Sequence, residues 1–99
     1  MDKELANHAA EVLKALAHPI RLQVVETLEG GELSVGEIAE AVGEKQAITS
    51  QQLNIMKDKG ILSSRREGTR VFYRIENENA IRVLGCVHNH CRKKGKVKR

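Results

Sequence analysis

A chain of 99 residues holds one domain at most, since separate cores need roughly 50 residues each, and with one Phe, one Tyr and no Trp its core must be aliphatic. No apolar run approaches the ~20 residues of a membrane helix, and charges punctuate the first segment too early for a secretory leader, so the expected location is the cytoplasm. The net charge of +4 divides unevenly: residues 1–44 hold three Lys/Arg against nine Asp/Glu, and residues 45–99 hold fourteen against four. An acidic half joined to a basic half points to one face for a polyanion, although a solvated basic face and a basic tail give the same count.

Leu5, Ala9, Val12, Leu13 and Leu16 recur at helical spacing and predict an amphipathic first helix that ends before His18-Pro19. Pro19 suits the first turn of a second helix, where its missing N–H has no partner to lose. That helix carries Leu22, Val24, Val25 and Leu28 to a stop at Gly30-Gly31. In Ser34-Val35-Gly36-Glu37 the hydroxyl can cap the amide three residues on while Glu37 reaches back, with Leu33 and Ile38 as the flanking apolar pair. A short third helix therefore starts at Ser34, buries Ile38, Ala39 and Val42, and ends at Gly43. A turn at Glu44-Lys45 leads to a fourth helix from about Gln46 to Lys59, with Gly60 as its stop, and two helices joined this tightly read as helix-turn-helix.

Ile61–Arg66 and Arg70–Ile75 are β-prone runs around the three-residue connection Glu67-Gly68-Thr69, a hairpin signal. Asn77 or Asn79 can cap a last helix that places Ala80, Val83, Leu84, Val87 and Cys91 on one face. Arg92–Arg99, six basic residues in eight, is expected to be a disordered tail beyond a domain of residues 1–91. The expected fold is mostly α with a small β-hairpin wing, in the order α-α-α-α-β-β-α, which is the layout of a winged helix-turn-helix.

Gln46, Ser50, Asn54 and Lys57 share one narrow arc of the fourth helix, with Gln51 at its edge, and Ile48, Leu53, Ile55 and Met56 are assigned to the core side. Amides both donate and accept, which is what a base edge in the major groove requires, while Ser50 and Lys57 suit base or phosphate contacts. An ordinary surface helix carries the same pattern. The hairpin shifts the balance, because Arg65, Arg66, Arg70 and Arg74 crowd two strands with only Glu67 for relief. Like charges this close weaken a sheet unless an anion lies near, and phosphates or a narrow minor groove would supply one. The structural alternative has these arginines lying over the hairpin and pairing with acids of the first half.

With these residues placed, the chain resembles the ArsR/SmtB family of bacterial winged-helix repressors over roughly residues 8–91, through LKALAHPIRLQVVETL, ELSVGEIAEAVG, QAITSQQLNIMKDKGIL and RREGTRVFYRI. The resemblance implies a non-enzymatic, homodimeric transcriptional regulator joined through its first and last helices. Its partner would be double-stranded DNA carrying an imperfect palindrome, released when an inducer binds. By position it makes Gln46, Ser50 and Gln51 the major-groove readers and the segment holding Arg65, Arg66, Thr69 and Arg70 the wing. It also implies which inducer sites are missing. Ser34 and Gly36 stand where arsenite, cadmium or lead sensors carry two cysteines. Asn77 and Asn79 stand where zinc and cobalt sensors carry an Asp and a His, and the second helix lacks the cysteine of the sulfur-responsive members.

What remains is Cys86-Val87-His88-Asn89-His90-Cys91. Cys86 and His90 are four apart on one side of a helix, and His88 and Cys91 pair on another. Cys86 and Cys91 lie roughly 140° apart around the axis, which disfavours a disulfide within one helix. Thiolate and imidazole suit zinc or another thiophilic metal, but one helix cannot aim four ligands inward, so the expected site joins a Cys86/His90 pair from each subunit. Thiol redox or sulfur sensing is a second use of the cluster. The plain alternative is that Cys86 and Cys91 only pack and the histidines are surface groups. If the scaffold no longer bound DNA specifically, the cluster would make it a metal- or thiol-handling protein.

Overall fold

The computed structural model describes residues 1–94. These form α1 (Lys3–Leu16), α2 (Pro19–Leu28), β1 (Leu33–Ser34), α3 (Val35–Val42), α4 (Gln46–Asp58), β2 (Leu62–Glu67), β3 (Arg70–Ile75) and α5 (Asn79–Lys94). Local chemistry sets most of these boundaries. The Asp2 carboxylate accepts from the Leu5 amide at 2.7 Å to cap α1, and His18 Nδ1 accepts from the Ile20 amide at 3.1 Å to cap α2 just before Pro19. At α3 the expected capping box is complete: Ser34 Oγ accepts from the Glu37 amide at 3.2 Å, and Glu37 Oε1 accepts from the Ser34 amide at 2.9 Å. Gly43 ends α3 in the left-handed region at φ 75°, which turns the chain into the Glu44-Lys45 connection.

The sheet departs from expectation in two ways. Its order is β1-β3-β2, so a two-residue strand that the sequence reading missed pairs Leu33 with Tyr73 and Ser34 with Phe72. A strand this short has no readable alternation, and Leu33-Ser34 also forms the lead-in to the α3 cap. The hairpin loop is also two residues rather than three, because Glu67 pairs with Arg70. Gly68 holds φ 66° at the first loop position, as a type II′ turn demands. At the other end, α5 continues to Lys94, so Arg92–Lys94 are helical rather than part of a disordered tail; residues 95–99 lie outside the described residues.

One aliphatic core joins the elements. Leu16, Val24, Val25, Leu28, Ile38, Leu53, Met56, Ile61, Leu62, Tyr73 and Ala80 are all buried in it. In α4 the buried stripe is Thr49, Leu53 and Met56. Ile48 is 37% exposed, and Ile55 is only half-buried, which corrects their assignment to the core side. At about 100° per residue, Thr49, Leu53 and Met56 cluster within roughly 60° of one another, whereas Ile48 and Ile55 point well away. Burying Thr49 has a cost: its Oγ1 has no hydrogen-bond partner among the described residues. Thr49→Val removes the orphan hydroxyl at nearly constant shape and is expected to raise unfolding stability by about 1 kcal/mol. A urea melt checks this, and a loss of stability would mean that the hydroxyl is satisfied in solution.

Candidate nucleic-acid interface

The polar arc of α4 faces outward. Gln46, Gln51, Asn54 and Lys57 are exposed and Ser50 is half-buried, while the adjacent stripe of Thr49, Leu53 and Met56 holds the core. The helix is fixed from behind by Arg21 of α2, whose Nε donates to Gln52 Oε1 at 2.8 Å and whose Nη1 donates to the Ala15 carbonyl at 3.3 Å. It is fixed from the wing by Tyr73, whose hydroxyl donates to Asn54 Oδ1 at 3.1 Å. Lys59, just beyond α4, donates to Glu11 of α1 at 3.1 Å. Lys45, the N-cap of α4, contributes no side-chain acceptor, so the first amides of the helix keep their donor capacity.

The wing stands beside this arc. Ser50 and Gln46 of α4 and Thr69 and Arg70 of the wing line one open groove of about 450 Å³ with Ser34 and Gly36. Ser50, Asn54 and Lys57 line another, of about 430 Å³, with Ser64, Arg65 and Arg66. Eight of the nine residues expected to touch nucleic acid border these two grooves, and Gln51 borders neither.

Electrostatics sorts the arginines. Arg65 donates to both oxygens of Glu32 at 2.8–3.0 Å and lies 4.7 Å from the Phe72 ring centre. Arg70 donates to Ser34 Oγ at 3.1 Å and lies 5.0 Å from the same ring. Arg74 pairs with Glu76 at 3.3 Å. Among the described residues Arg66 has no ion-pair or hydrogen-bond partner. Sequence spacing could not expose the Glu32–Arg65 pair, because it links residues 33 apart across a strand that was not foreseen.

Three carboxyls are held below the usual carboxylate range: Glu11 by its bond from Lys59, Glu32 by its bonds from Arg65, and Glu37 by the Ser34 backbone N–H. Each folded value is depressed, so the stability they contribute is complete above the ordinary value of about 4.3 and is lost as pH falls through the depressed values. The thermal midpoint should therefore fall on acidification below about pH 4.5. In Glu37→Gln, which keeps an oxygen acceptor for the Ser34 amide, that fall should be shallower. Melts followed by circular dichroism across this range test it, and parallel curves would remove Glu37 from the account.

The Cys/His segment is not assembled into a centre. Among the described residues no three His, Cys, Asp or Glu side chains are grouped to hold a metal ion. Cys86 and His90 line an open groove with Asn89 and Arg92, as their four-residue spacing predicts, but His88 and Cys91 do not border it. Both cysteines are free, Cys86 exposed and Cys91 half-buried. One protomer therefore offers two donors on one face, short of the four of a closed zinc site.

Comparison with known proteins identifies the family and the fold. Residues 18–64 match the family described as "Bacterial regulatory protein, arsR family". The chain is 40% identical over 83 residues to the biofilm growth-associated repressor of Xylella fastidiosa strain Temecula1, covering 84% of this chain and 73% of that protein. It superposes on the homodimeric winged helix-turn-helix DNA-binding domain of Mb0332 from Mycobacterium bovis with a TM-score of 0.80 at 37% identity, covering 92% and 84% of the two chains. The AntR antimony-specific transcriptional repressor gives a TM-score of 0.89 at 29% identity, with 97% and 87% covered. No described helix is long and apolar enough to cross a membrane. A winged helix-turn-helix with an outward polar arc on α4, and relatives that are repressors rather than enzymes, make this chain a transcriptional regulator belonging to the arsR family of bacterial regulatory proteins.

Proposed function

We propose that the chain represses transcription as a homodimer in which α4 of each protomer enters the major groove of an imperfectly palindromic duplex while the wing grips the backbone. The carrying observation is the common side shared by the α4 arc and the wing grooves. Gln46, Ser50, Gln51 and Asn54 are the base readers of this reading, and Lys57, Arg66, Thr69 and Arg70 lie where phosphates pass. The uncapped amides at the start of α4 suit a further phosphate. Leu5, Leu13 and Val87 are each at least half exposed on α1 and α5, and an apolar surface of this kind supports pairing through those two helices. The homodimeric Mycobacterium bovis domain supports it further. Two recognition helices related by a twofold axis meet half-sites about one helical turn apart.

Footprinting on DNA upstream of its own gene tests the reading. Protection should span two half-sites and weaken steeply with salt, and both Gln51→Ala and Arg70→Ala should reduce it. Weak binding that neither salt nor these substitutions alters would reject it.

The inducer of this reading is a thiophilic metal, zinc included, or a thiol-reactive signal taken up at the Cys86/His90 groove. Pairing of two such grooves across the dimer would supply four ligands. A structural relative described as antimony-specific supports a thiophilic class. Zinc titration against a chromophoric chelator, repeated on Cys86→Ser, tests the metal form. Equal uptake by both proteins would move the site elsewhere.

A further inference from the structure

The wing carries more guanidinium groups than it presents to a ligand. Resting on the reading of α4 and the wing as a DNA interface, we propose that Arg65 is a positioning residue held off the nucleic acid by Glu32, and that Arg66 is the arginine of β2 that meets phosphate.

The sheet register divides the two neighbours. Arg65 lies opposite Phe72, and Arg66 opposite Val71, so they project from opposite faces. Arg65 spends its fork on Glu32: Nε donates to both carboxylate oxygens and Nη2 to Oε1 at 2.8 Å, while its plane lies against Phe72. Bidentate, charge-assisted bonding of this kind is the strong form of an ion pair. Glu67 lies a further 3.6 Å from Nη1. Because Glu32 immediately precedes β1, and β3 lies between β1 and β2, the pair straps all three strands together over Phe72. A phosphate reaching Arg65 would have to break this strap and approach two carboxylates.

Arg66 differs in its face and in its partners. Its face also carries Ser64 and Tyr73, and Tyr73 is the residue that reaches across to Asn54 of α4. Arg65 and Arg66 are both exposed and both border the groove shared with Ser50, Asn54 and Lys57, but the Arg66 side chain has no ion-pair or hydrogen-bond partner among the described residues. A phosphate bound there displaces no protein contact. Glu32 thus limits how many phosphates the wing neutralises, and neutralising its charge releases a further cation.

The slope of log binding constant against log salt counts neutralised phosphates, at about 0.9 per contact on duplex DNA. Fluorescence anisotropy on a labelled mixed-sequence duplex reads this slope for the full chain and for Arg66→Gln, Arg65→Gln and Glu32→Gln, each checked for native circular dichroism. Arg66→Gln should lower the slope by about one, Arg65→Gln should leave it unchanged, and Glu32→Gln should raise it by about one with tighter binding. A purely structural role for Glu32 would weaken binding without raising the slope. Equal losses in Arg65→Gln and Arg66→Gln, or an unchanged slope in Glu32→Gln, overturn the proposal while leaving DNA binding intact. Absence of any salt-dependent binding by the unsubstituted chain removes both.

Discussion

Replacing Leu53 by Ala should cost about 2–5 kcal/mol and take most DNA binding with it. Leu53 is fully buried at the centre of the α4 stripe, in the core formed with α2, α3 and the wing strands. Truncation removes its transfer free energy and leaves a cavity that a small aliphatic core has few long side chains to refill. Domains of this size have only about 5–15 kcal/mol in total, so the loss is a large share of it and lowers the thermal midpoint by roughly 4–8 °C per kcal/mol. Ile48→Ala is the control on the same helix: Ile48 is 37% exposed, and its truncation should cost well under half as much. Urea melts of the two variants decide it. A Leu53→Ala protein as stable as Ile48→Ala would mean that α4 is not seated by that stripe, and the orientation of its polar arc would fall with it.

Why most of the fold was legible is a matter of range. Helix boundaries follow from residues that act within a turn: the Ser34–Glu37 capping box, Pro19 at the start of α2 and Gly43 at the end of α3 all appear as their chemistry predicts. The polar arc of α4 was readable for the same reason, since Gln46, Ser50, Asn54 and Lys57 obey one period. The buried side was harder, because apolar identity placed Ile48 and Ile55 with the core when position on the helix assigns that role to Thr49. Polarity misleads wherever packing decides. β1 was missed because two residues cannot show a strand period, and with it went the partner of Arg65. The alternative reading of the hairpin arginines, pairing with acids of the first half, therefore describes Arg65 but not Arg66. Cys86 and His90 share a groove as their spacing requires, yet a helix cannot reveal what faces it from outside.

Leu13→Glu and Val87→Glu should each turn the regulator into a monomer of 11.0 kDa and weaken its binding to a two-half-site duplex by about 10²–10⁴-fold. Leu13 is 54% exposed and Val87 50% exposed in the protomer, so a carboxylate at either place meets water rather than the core, and the fold of the isolated protomer is little affected. In a dimer built on α1 and α5 the same carboxylate is buried without a partner, at a cost of several kcal/mol per protomer. Dissociation removes the tether that makes the second half-site contact intramolecular, which is where the affinity is lost, while binding to a single half-site persists unchanged. Sedimentation velocity reads the mass and anisotropy on one-site and two-site duplexes reads the affinity. If both variants keep the dimer mass, the helices that pair are not α1 and α5. If they become monomers and still bind the two-site duplex as tightly as before, the second copy contributes nothing to recognition.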